Sequence, residues 1–419
     1  MLELIFAMIL SNLANVSREA DMIVRERYLE WLKVSKDNEF VKVITGVRRS
    51  GKSVILKLYY DYLLSIAIKK ENILFFNFEH PDNYSLLESE RLYEKLKQRC
   101  KGLDGKIYFI FDEIQEVKEW QRLVNGLRVS YDSDIYMTGS NANLLSGELA
   151  TYLAGRYIEL HVYPLSFLEY KSFHENLGLK ENLDDLFANY MKWGGFPALP
   201  SIIDEKIKVS VLDGIYTSII LKDVATRGNI RELNLLDRVV SYLLDTVGSP
   251  ISIKKISDTI NSDGLKTNPT SVDKYLELLS ESFIFYEVLR YDIRGKQRLK
   301  TLAKYYTVDT GIRNTTLGRI TNLGSQLENI VFIELKRRGY EVFIGKLDSY
   351  EVDFVCFKEN QIEYFQVAYQ LPEGSNREQK NLLKIPDSYK KTILTLNRMN
   401  VGVIDGVPVV HIIDWLFAE

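Results

Sequence analysis

Cysteine is scarce in this sequence, since Cys100 and Cys356 are the only two among 419 residues. Two widely separated cysteines provide neither a disulfide framework nor the ligand spacing of a zinc site. The four histidines are also scattered along the chain and predict no metal cluster. We therefore expect two reduced thiols in a protein of the cytoplasm.

Long hydrophobic runs and a strong charge of one sign are missing as well. The stretch LELIFAMIL at residues 2–10 is apolar but short, carries Glu3 and lacks a basic start. We expect it to form a helix packed on the core, and we expect no membrane partner. The net charge is −3, so no overall basic field steers the chain to nucleic acid, although a local basic patch remains open. A chain of this length predicts two to four domains.

The most specific motif is GVRRSGKS at residues 46–53. The β-rich run FVKVIT precedes it and a helical apolar pattern follows it, so the order is strand, glycine loop, helix. Glycines let backbone N–H groups turn around a phosphate, and the helix N-terminus adds its positive dipole end. The motif predicts an ATP-binding loop made of Gly46, Val47, Arg48, Arg49, Ser50, Gly51, Lys52 and Ser53. We expect Lys52 to reach the β- and γ-phosphates and Ser53 to hold Mg²⁺; the competing interpretation is a tight turn with an exposed lysine.

The second motif is acidic and lies in KIYFIFDEIQ at residues 106–115. Its continuous apolar run predicts a strand buried on both faces, with Asp112 and Glu113 at the carboxyl end where open α/β sheets bind ligands. We expect Asp112 to hold Mg²⁺ through water and Glu113 to orient and polarise the attacking water. A strand followed by a helix that Asp112 caps is the alternative, and the nucleotide loop earlier in the chain argues against it.

Two further polar segments are candidates for the same site. A third strand is predicted at DIYMTGSN, residues 134–141, after which Ser140 or Asn141 would sense the γ-phosphate. An ordinary strand-to-loop turn explains these two residues equally well. Arg156 in LAGRY is predicted to act as a catalytic finger in its own subunit or in a neighbour, against the alternative of a surface arginine at a helix end. A finger that acts on a neighbour requires a homo-oligomer.

These motifs, together with YPLSFLEY and with WGGFPAL at residues 193–199, resemble an AAA+ ATPase family of archaea and bacteria. In that family an AAA domain of type 14 is fused to a C-terminal domain of unknown function, number 4143. The resemblance runs from about residue 20 to the end of the chain. It implies an α/β fold in which a P-loop αβα AAA+ core with an N-terminal helix (residues 1–170) precedes a helical, lid-like segment (residues 171–230). It also implies hydrolysis of ATP with Mg²⁺.

Residues 231–310 predict a winged-helix domain, because three amphipathic helices precede a hairpin. Ser252 and Asn268 are predicted N-caps of the second and third helices, and Pro269 takes the first position of the third. The hairpin carries six basic residues and one acid, or 6 − 1 = +5, from Arg290, Arg294, Lys296, Arg298, Lys300 and Lys304 with Asp292. One interpretation places this wing on duplex DNA, with Thr270, Ser271 and Lys274 facing the bases. The other assigns it to protein contacts, and we favour DNA.

Residues 311–419 predict a helix followed by strands that bring Glu328, Asp353 and a residue near Gln366 to one edge. This pattern resembles the PD-(D/E)XK nuclease core, where carboxylates bind Mg²⁺ and a lysine two residues past the last one positions water. Here Ala368 stands at the lysine position, so we expect a nuclease-like α/β domain that is degenerate and does not cut.

The whole chain is thus predicted to be an ATPase that couples its nucleotide state to DNA or protein. A nucleotide-gated switch and an ATP-gated endonuclease are the alternatives.

Overall fold

The structure is a computed structural model that describes residues 24–145, 153, 155–371 and 377–418. The helix predicted at residues 2–10 lies outside this part of the chain. Two compact units divide the chain. The first comprises Met1–Gly46, Ser50–Val162 and Lys171–Lys180, and the second comprises Val47–Arg49, Tyr163–Tyr170 and Glu181–Glu419.

Up to residue 176 the described helices and strands alternate except between β4 and β5. They are α1 Glu26–Val34, β1 Val41–Thr45, α2 Lys52–Ser65, β2 Ile73–Asn77, α3 Ser89–Cys100, β3 Ile107–Asp112, α4 Trp120–Ser130, β4 Ser133–Thr138, β5 Tyr157–His161 and α5 Phe167–Asn176.

From residue 183 to residue 281 the described elements are helical, and from residue 285 onward strands and helices are interspersed. The helices are α6 Leu183–Trp193, α7 Glu205–Ser218, a π-helical segment Ile219–Thr226, α8 Leu233–Asp245, α9 Ile253–Ser262, α10 Pro269–Glu281, α11 Thr310–Leu317, α12 Leu323–Arg337, α13 Arg377–Leu383 and α14 Ile412–Phe417. The strands are β6 Phe285–Asp292, β7 Gln297–Thr307, β8 Glu341–Leu347, β9 Tyr350–Lys358, β10 Gln361–Ala368, β11 Lys390–Thr395, β12 Gly402–Ile404 and β13 Val407–His411.

The first unit is built on a parallel sheet which, in the described residues, has five strands in the order β2-β3-β4-β1-β5. Alternate side chains of β3 enter two separate cores, so that Phe109 packs with α3 and α4 while Tyr108 packs with α1 and α2. The unit is therefore a three-layer αβα sandwich, and the continuous apolar run of β3 is explained by burial on both faces. The carboxyl ends of all five strands meet at one edge.

The second unit contains a mixed sheet in which the described strands run in the order β12-β13-β11-β10-β9-β8-β6-β7. The β6–β7 hairpin is the predicted wing, and it forms one edge of this sheet rather than standing alone. Strand β6 pairs in parallel with β8, opposing Arg290 with Ile344. That pairing satisfies backbone groups of β6 that a free hairpin would leave exposed. The alternation of side chains in the sequence does not identify so distant a partner strand.

The predicted caps of α9 and α10 are confirmed, because the side chain of Ser252 accepts from Lys255 N and that of Asn268 accepts from Ser271 N. The prediction that the six basic residues of the hairpin are available to DNA needs correction. Lys304 is buried. Arg294 and Arg298 form exposed ion pairs with the acids Asp348 and Glu341, at 3.0 Å and 2.8 Å respectively.

On α10 the predicted base-facing residue Lys274 donates to Gly228 O at 3.1 Å. In the hairpin, the burial of Lys304 and the ion pairs of Arg294 and Arg298 leave less positive charge for a partner than the +5 counted from the sequence.

Candidate nucleotide site

The loop between β1 and α2 has a backbone that glycine alone adopts without strain at two positions. Gly46 has φ +139° and Gly51 has φ +101°. A Cβ atom at Gly46 would lie 2.2 Å from Val162 O, so a larger residue cannot occupy this position. Helix α2 begins at Lys52, directly after the loop, and its first N–H groups and positive dipole end therefore face the loop.

Lys52 is buried, with 3% of its surface exposed. Its Nζ donates to Gly46 O at 2.9 Å and lies 3.8 Å from Glu113 Oε1. The side chain therefore folds back across the loop toward the end of β3. This geometry differs from that of a tight turn with an exposed lysine.

Ser50 contributes a hydroxyl to the inside of the loop. Its side chain is fully buried, and its Oγ has no hydrogen-bond partner among the described residues. Its carbonyl accepts a 2.9 Å hydrogen bond from Arg25 Nη1, a buried arginine that the sequence analysis missed. A buried hydroxyl without a partner, inside a glycine loop at a helix N-terminus, fits a phosphate oxygen.

Asp112 is the centre of a small polar network. Its Oδ1 accepts from Ser53 Oγ at 3.1 Å and from Thr138 Oγ1 at 2.6 Å, and its Oδ2 accepts from Asn77 Nδ2 at 2.7 Å. Burial raises the pKa of Asp112, and nearby Glu113 raises it further, while the two hydroxyl donors and Lys52 lower it. The predicted metal residues Ser53 and Asp112 are therefore in direct contact. An oxygen-only pair of this kind fits Mg²⁺.

Sequence reasoning missed Thr138 and Asn77, although both carry a weak signal. Each is the last residue of its strand, at the same sheet edge as Asp112. A polar residue that ends an apolar strand beside the acidic motif is the pattern that would have found them. These two side chains fix the orientation of the Asp112 carboxylate.

Glu113 follows directly and adopts φ +56°. A non-glycine residue in this region is strained by roughly 1–3 kcal/mol, and such strain persists where the surroundings impose it. Here Glu113 N donates to Thr138 Oγ1 at 2.8 Å, and the carboxylate accepts from Gln115 Nε2. The turn directs the carboxylate toward Lys52, at the edge where the γ-phosphate is expected.

Ser140 and Asn141 are buried just after β4, at the same sheet edge. Gly139 N donates to Ile44 O at 3.0 Å, which fixes this turn beside the end of β1. A Cβ atom at Gly139 would lie 2.8 Å from Gln115 Oε1, so the turn also approaches the partner of Glu113. The position is compatible with a γ-phosphate sensor, and that role stays a prediction.

Arg156 does not lie with the other predicted residues. It is exposed and precedes β5, and its carbonyl accepts from Val41 N at 3.0 Å. Because β5 runs parallel to β1, this is the amino end of the sheet, whereas Gly46 follows the carboxyl end. The five-residue strand β1 separates the two by roughly 16 Å. An action of Arg156 on a phosphate in its own subunit does not fit this position.

Val47, Arg48 and Arg49 belong to the second unit. Within that unit Arg48 makes a two-pronged contact to Asp223, with Nε and Nη2 at 2.9 Å and 3.1 Å from the two carboxylate oxygens. Asp223 lies in the π-helical segment, an unusual element that is frequent at functional sites. Because 175 residues separate the pair, no local pattern in the sequence predicts it.

A cavity of about 790 Å³ in the first unit adjoins Ser53 and Asp112. Its other walls are mostly apolar side chains of α2 and β2, among them Tyr60 and Leu74, with Lys57 and Arg99 as basic members. The cavity gives Ser53 and Asp112 access from outside the sheet.

Comparisons with known proteins agree with this geometry. Residues 38–171 match the family described as an AAA domain, and residues 184–323 match a domain of unknown function, DUF8612. The second match is a different domain from number 4143, which the resemblance implies. The solved structure of the Walker-type ATPase PABY2304 of Pyrococcus abyssi superposes with a TM-score of 0.52 at 17% identity, covering 71% of this chain and 96% of that one. The first unit therefore has the fold of an AAA+ P-loop ATPase.

Two relatives match nearly the whole chain. An uncharacterized protein of Haemophilus influenzae is 46% identical over 396 residues, which cover 94% of this chain and 98% of that protein. The uncharacterized protein MJ1544 of Methanocaldococcus jannaschii is 32% identical over 410 residues, covering 94% of this chain and 87% of that protein. The chain belongs to the same family as these two proteins. In the part of the chain that the structure describes, no helix is long and apolar enough to cross a membrane.

Proposed function

We propose that this protein binds ATP with Mg²⁺ and hydrolyses it to ADP and phosphate. The observation that carries the proposal is the convergence of Lys52, Ser53, Asp112 and Glu113 at one sheet edge, with Ser53 Oγ 3.1 Å from Asp112 and Lys52 Nζ 3.8 Å from Glu113. Positioning and charge stabilisation supply most of the catalysis in phosphoryl transfer, and these four side chains are of the types that it requires.

The nucleotide loop binds the phosphates. Its backbone N–H groups, Ser50 Oγ and Lys52 Nζ are the donors, and Lys52 exchanges its bond to Gly46 O for a phosphate oxygen. Ser53 and Asp112 would hold Mg²⁺, which when bound neutralises charge on the phosphate oxygens. Asn77 and Thr138 keep the Asp112 carboxylate in one orientation through their hydrogen bonds.

Glu113 is the base in this proposal. Its carboxylate orients the attacking water and accepts its proton, and the Gln115 amide holds one of its oxygens. Ser140 or Asn141 contacts the water or the γ-phosphate from the turn after β4. Arg156 acts in a neighbouring subunit, because its place at the far end of the sheet excludes its own phosphates. The proposal therefore includes a homo-oligomer.

We further propose that the nucleotide state is coupled to duplex DNA through residues 231–310. Thr270 and Lys296 are exposed there, and the exposed ion pairs of Arg294 and Arg298 are of a kind that contributes little stability. Phosphates of DNA can replace the acids in such pairs. A protein partner in place of DNA is the alternative that the experiment distinguishes.

The test is steady-state ATP hydrolysis with Mg²⁺, with and without duplex DNA. Glu113→Gln is the blank, and Glu116→Gln is the matched control because Glu116 is exposed on the next turn. We expect turnover in the wild type and in Glu116→Gln, a loss of about 10²–10⁴-fold in Glu113→Gln, and ATP affinity unchanged in all three. Turnover that rises with DNA supports the coupling, and turnover indifferent to DNA favours a protein partner. ATP binding without turnover above the blank would replace the ATPase by a nucleotide-gated switch.

A further inference from the structure

Another buried lysine, Lys304, lies far along the sequence from the nucleotide loop. Lys304 is on β7, in the hairpin predicted to contact DNA, yet only 3% of its surface is exposed. Its backbone opposes Val288 of β6 in the sheet. Burial of a lysine is costly unless its ammonium is paired and hydrogen-bonded, so its partners identify what it does.

Two carboxylates from two other elements contact this ammonium, and a third acts on it electrostatically. Lys304 Nζ lies 3.2 Å from Glu328 Oε1 on α12 and 2.8 Å from Glu351 Oε1 on β9. Asp353, two residues along β9 and on the same face as Glu351, is the third carboxylate that acts on it. Glu328 and Asp353 are the acids that the sequence analysis assigned to a metal site.

Glu328 is held in place by its surroundings. Tyr306 OH donates to Glu328 Oε1, the oxygen that also contacts Lys304. The ring of Tyr306 stacks on that of Phe332, with ring centroids 4.5 Å apart. A Cβ atom at Gly248, which has φ +74°, would lie 3.3 Å from Glu328 Oε1. The carboxylate therefore points at Lys304 from a packed environment.

The charges are consistent with a stable ammonium. Burial lowers the pKa of Lys304, but Glu328, Asp353 and Glu351 raise it, and the net pKa is raised above its ordinary value. Burial and the neighbouring Glu351 raise the pKa of Glu328, Lys304 and the Tyr306 hydroxyl lower it, and the net pKa of Glu328 is raised. Three carboxylates face one ammonium, so negative charge is in excess. Water can solvate Glu351, because 36% of its side chain is exposed, and Asp353 Oδ2 accepts a hydrogen bond from Val367 N at 2.8 Å.

We propose that Lys304 is the permanent cation of this carboxylate site, so that the chain itself fills the place of a divalent metal. Mg²⁺ requires carboxylate oxygens at about 2.0–2.1 Å, and the oxygens of Glu328 and Glu351 are engaged by the ammonium instead. Among the described residues no group of three or more Asp, Glu, His or Cys side chains is arranged to hold a metal ion.

The neighbouring strand agrees with a closed site. Gln366 stands where a third carboxylate would be expected, and its Oε1 accepts from Asp353 N at 3.3 Å. Ala368 supplies no group to act on water. The consequence is that residues 311–419 do not cleave phosphodiesters with a metal, and that Lys304 joins β7, α12 and β9 instead of contacting DNA.

Metal binding tests the proposal directly. Nucleotide is left out so that no metal–nucleotide complex binds at the loop of residues 46–53. Terbium is the probe, because Tyr306 beside Glu328 can sensitise its luminescence, and Mn²⁺ titration by calorimetry is the second readout. We expect no saturable site at micromolar metal in the wild type. Lys304→Ala should gain one site, at least tenfold tighter than any wild-type binding, and Lys304→Ala with Glu328→Gln should lose it.

Wild-type protein that binds the metal as tightly as Lys304→Ala would overturn the proposal, and so would a folded Lys304→Ala variant that gains no site. A plasmid-nicking assay on the wild type with Mg²⁺ or Mn²⁺ keeps the proposal testable if Lys304→Ala does not fold. We expect no nicking; nicking that disappears in Glu328→Gln would show a working metal site and contradict the closed one.

Discussion

Two of the buried lysines beside carboxylates, Lys52 and Lys304, differ in their contacts. Lys52 and Lys304 are equally buried, at 3% exposure. Lys52 Nζ donates to a neutral carbonyl at 2.9 Å and has its carboxylate neighbour Glu113 at 3.8 Å. Lys304 Nζ lies 3.2 Å and 2.8 Å from two carboxylates. The first lysine can exchange its carbonyl contact for a phosphate, whereas the second already has anions as its partners.

The difference shows that burial of a lysine does not by itself indicate a ligand site. A hydrogen bond between two charged groups is stronger than one from a lysine to a neutral carbonyl. Lys52 therefore loses little when it exchanges a backbone carbonyl for a phosphate. If Lys304 moved away from Glu328 and Glu351, their negative charge would lose its compensating cation. In the proposed function Lys52 is therefore available to an incoming anion, whereas Lys304 is part of the folded framework.

The largest expected effect concerns stability and compares Lys304→Met with Lys52→Met. Removing Lys304 leaves the mostly buried carboxylates of Glu328 and Asp353 without their cation, so we expect the free energy of unfolding to fall by about 3–5 kcal/mol. Lys52→Met removes the hydrogen bond from Lys52 Nζ to the carbonyl of Gly46, and we expect a loss of about 1 kcal/mol. Denaturant unfolding without nucleotide measures both. Equal losses in the two variants would erase the distinction between the two lysines.

A buried carboxylate stabilised by backbone groups extends the comparison. Asp309 caps α11, and it accepts from Gly195 N at 2.7 Å and from Gly311 N at 2.8 Å. Burial raises the pKa of Asp309 to about 6, although its backbone N–H donors lower it. Because the folded pKa lies above the unfolded one, the folded state binds more protons in this window. Stability from this group is therefore full at low pH and falls as pH rises through about 4 to 6.

The measurement is the free energy of unfolding at pH 5 and pH 7 in the wild type and in Asp309→Asn. We expect the wild type to gain on the order of 1–3 kcal/mol relative to the variant on going to the lower pH. A variant with the same pH slope as the wild type would show that Asp309 keeps an ordinary pKa, with its N–H donors outweighing burial.

The smallest effect concerns the groups that orient Asp112. In Thr138→Val the donor to Asp112 Oδ1 and the acceptor of Glu113 N are both lost. Partners that orient metal ligands typically change activity or metal affinity by about 10–100-fold, and we expect roughly a tenfold higher Mg²⁺ requirement for turnover. Thr307→Val is the matched control, because Thr307 is a buried threonine at the end of β7. An effect as large in the control would assign the loss to general destabilisation.

The sequence was most informative where a function lies in one contiguous stretch. GVRRSGKS and the Asp112–Glu113 pair each follow directly after a strand, and this local context was enough to predict them. The structure brings the two motifs into contact. The helix caps at Ser252 and Asn268 are equally local and are confirmed. Short-range chemistry of this kind can be predicted without knowledge of the tertiary fold.

Residues whose roles depend on distant partners could not be predicted in the same way. Arg25 supports Ser50, and Asp223 binds Arg48 across 175 residues, with no repeat or spacing that links them. Lys304 was interpreted from its basic neighbours as part of a DNA-binding wing. The pairing of β6 with β8 and the acids of α12 and β9 place it inside the sheet instead.

Binding of Mg²⁺-ATP to the wild type, Lys52→Met and Lys304→Met tests the central claim most directly. Calorimetric titration should give one site per chain in the wild type and in folded Lys304→Met, with similar affinity. In Lys52→Met we expect the affinity to fall by about 10²-fold or more, because a buried charge-assisted contact to phosphate is lost. Retained affinity in Lys52→Met, or an equal loss in both variants, would contradict the assignment of the nucleotide site to the loop at residues 46–53.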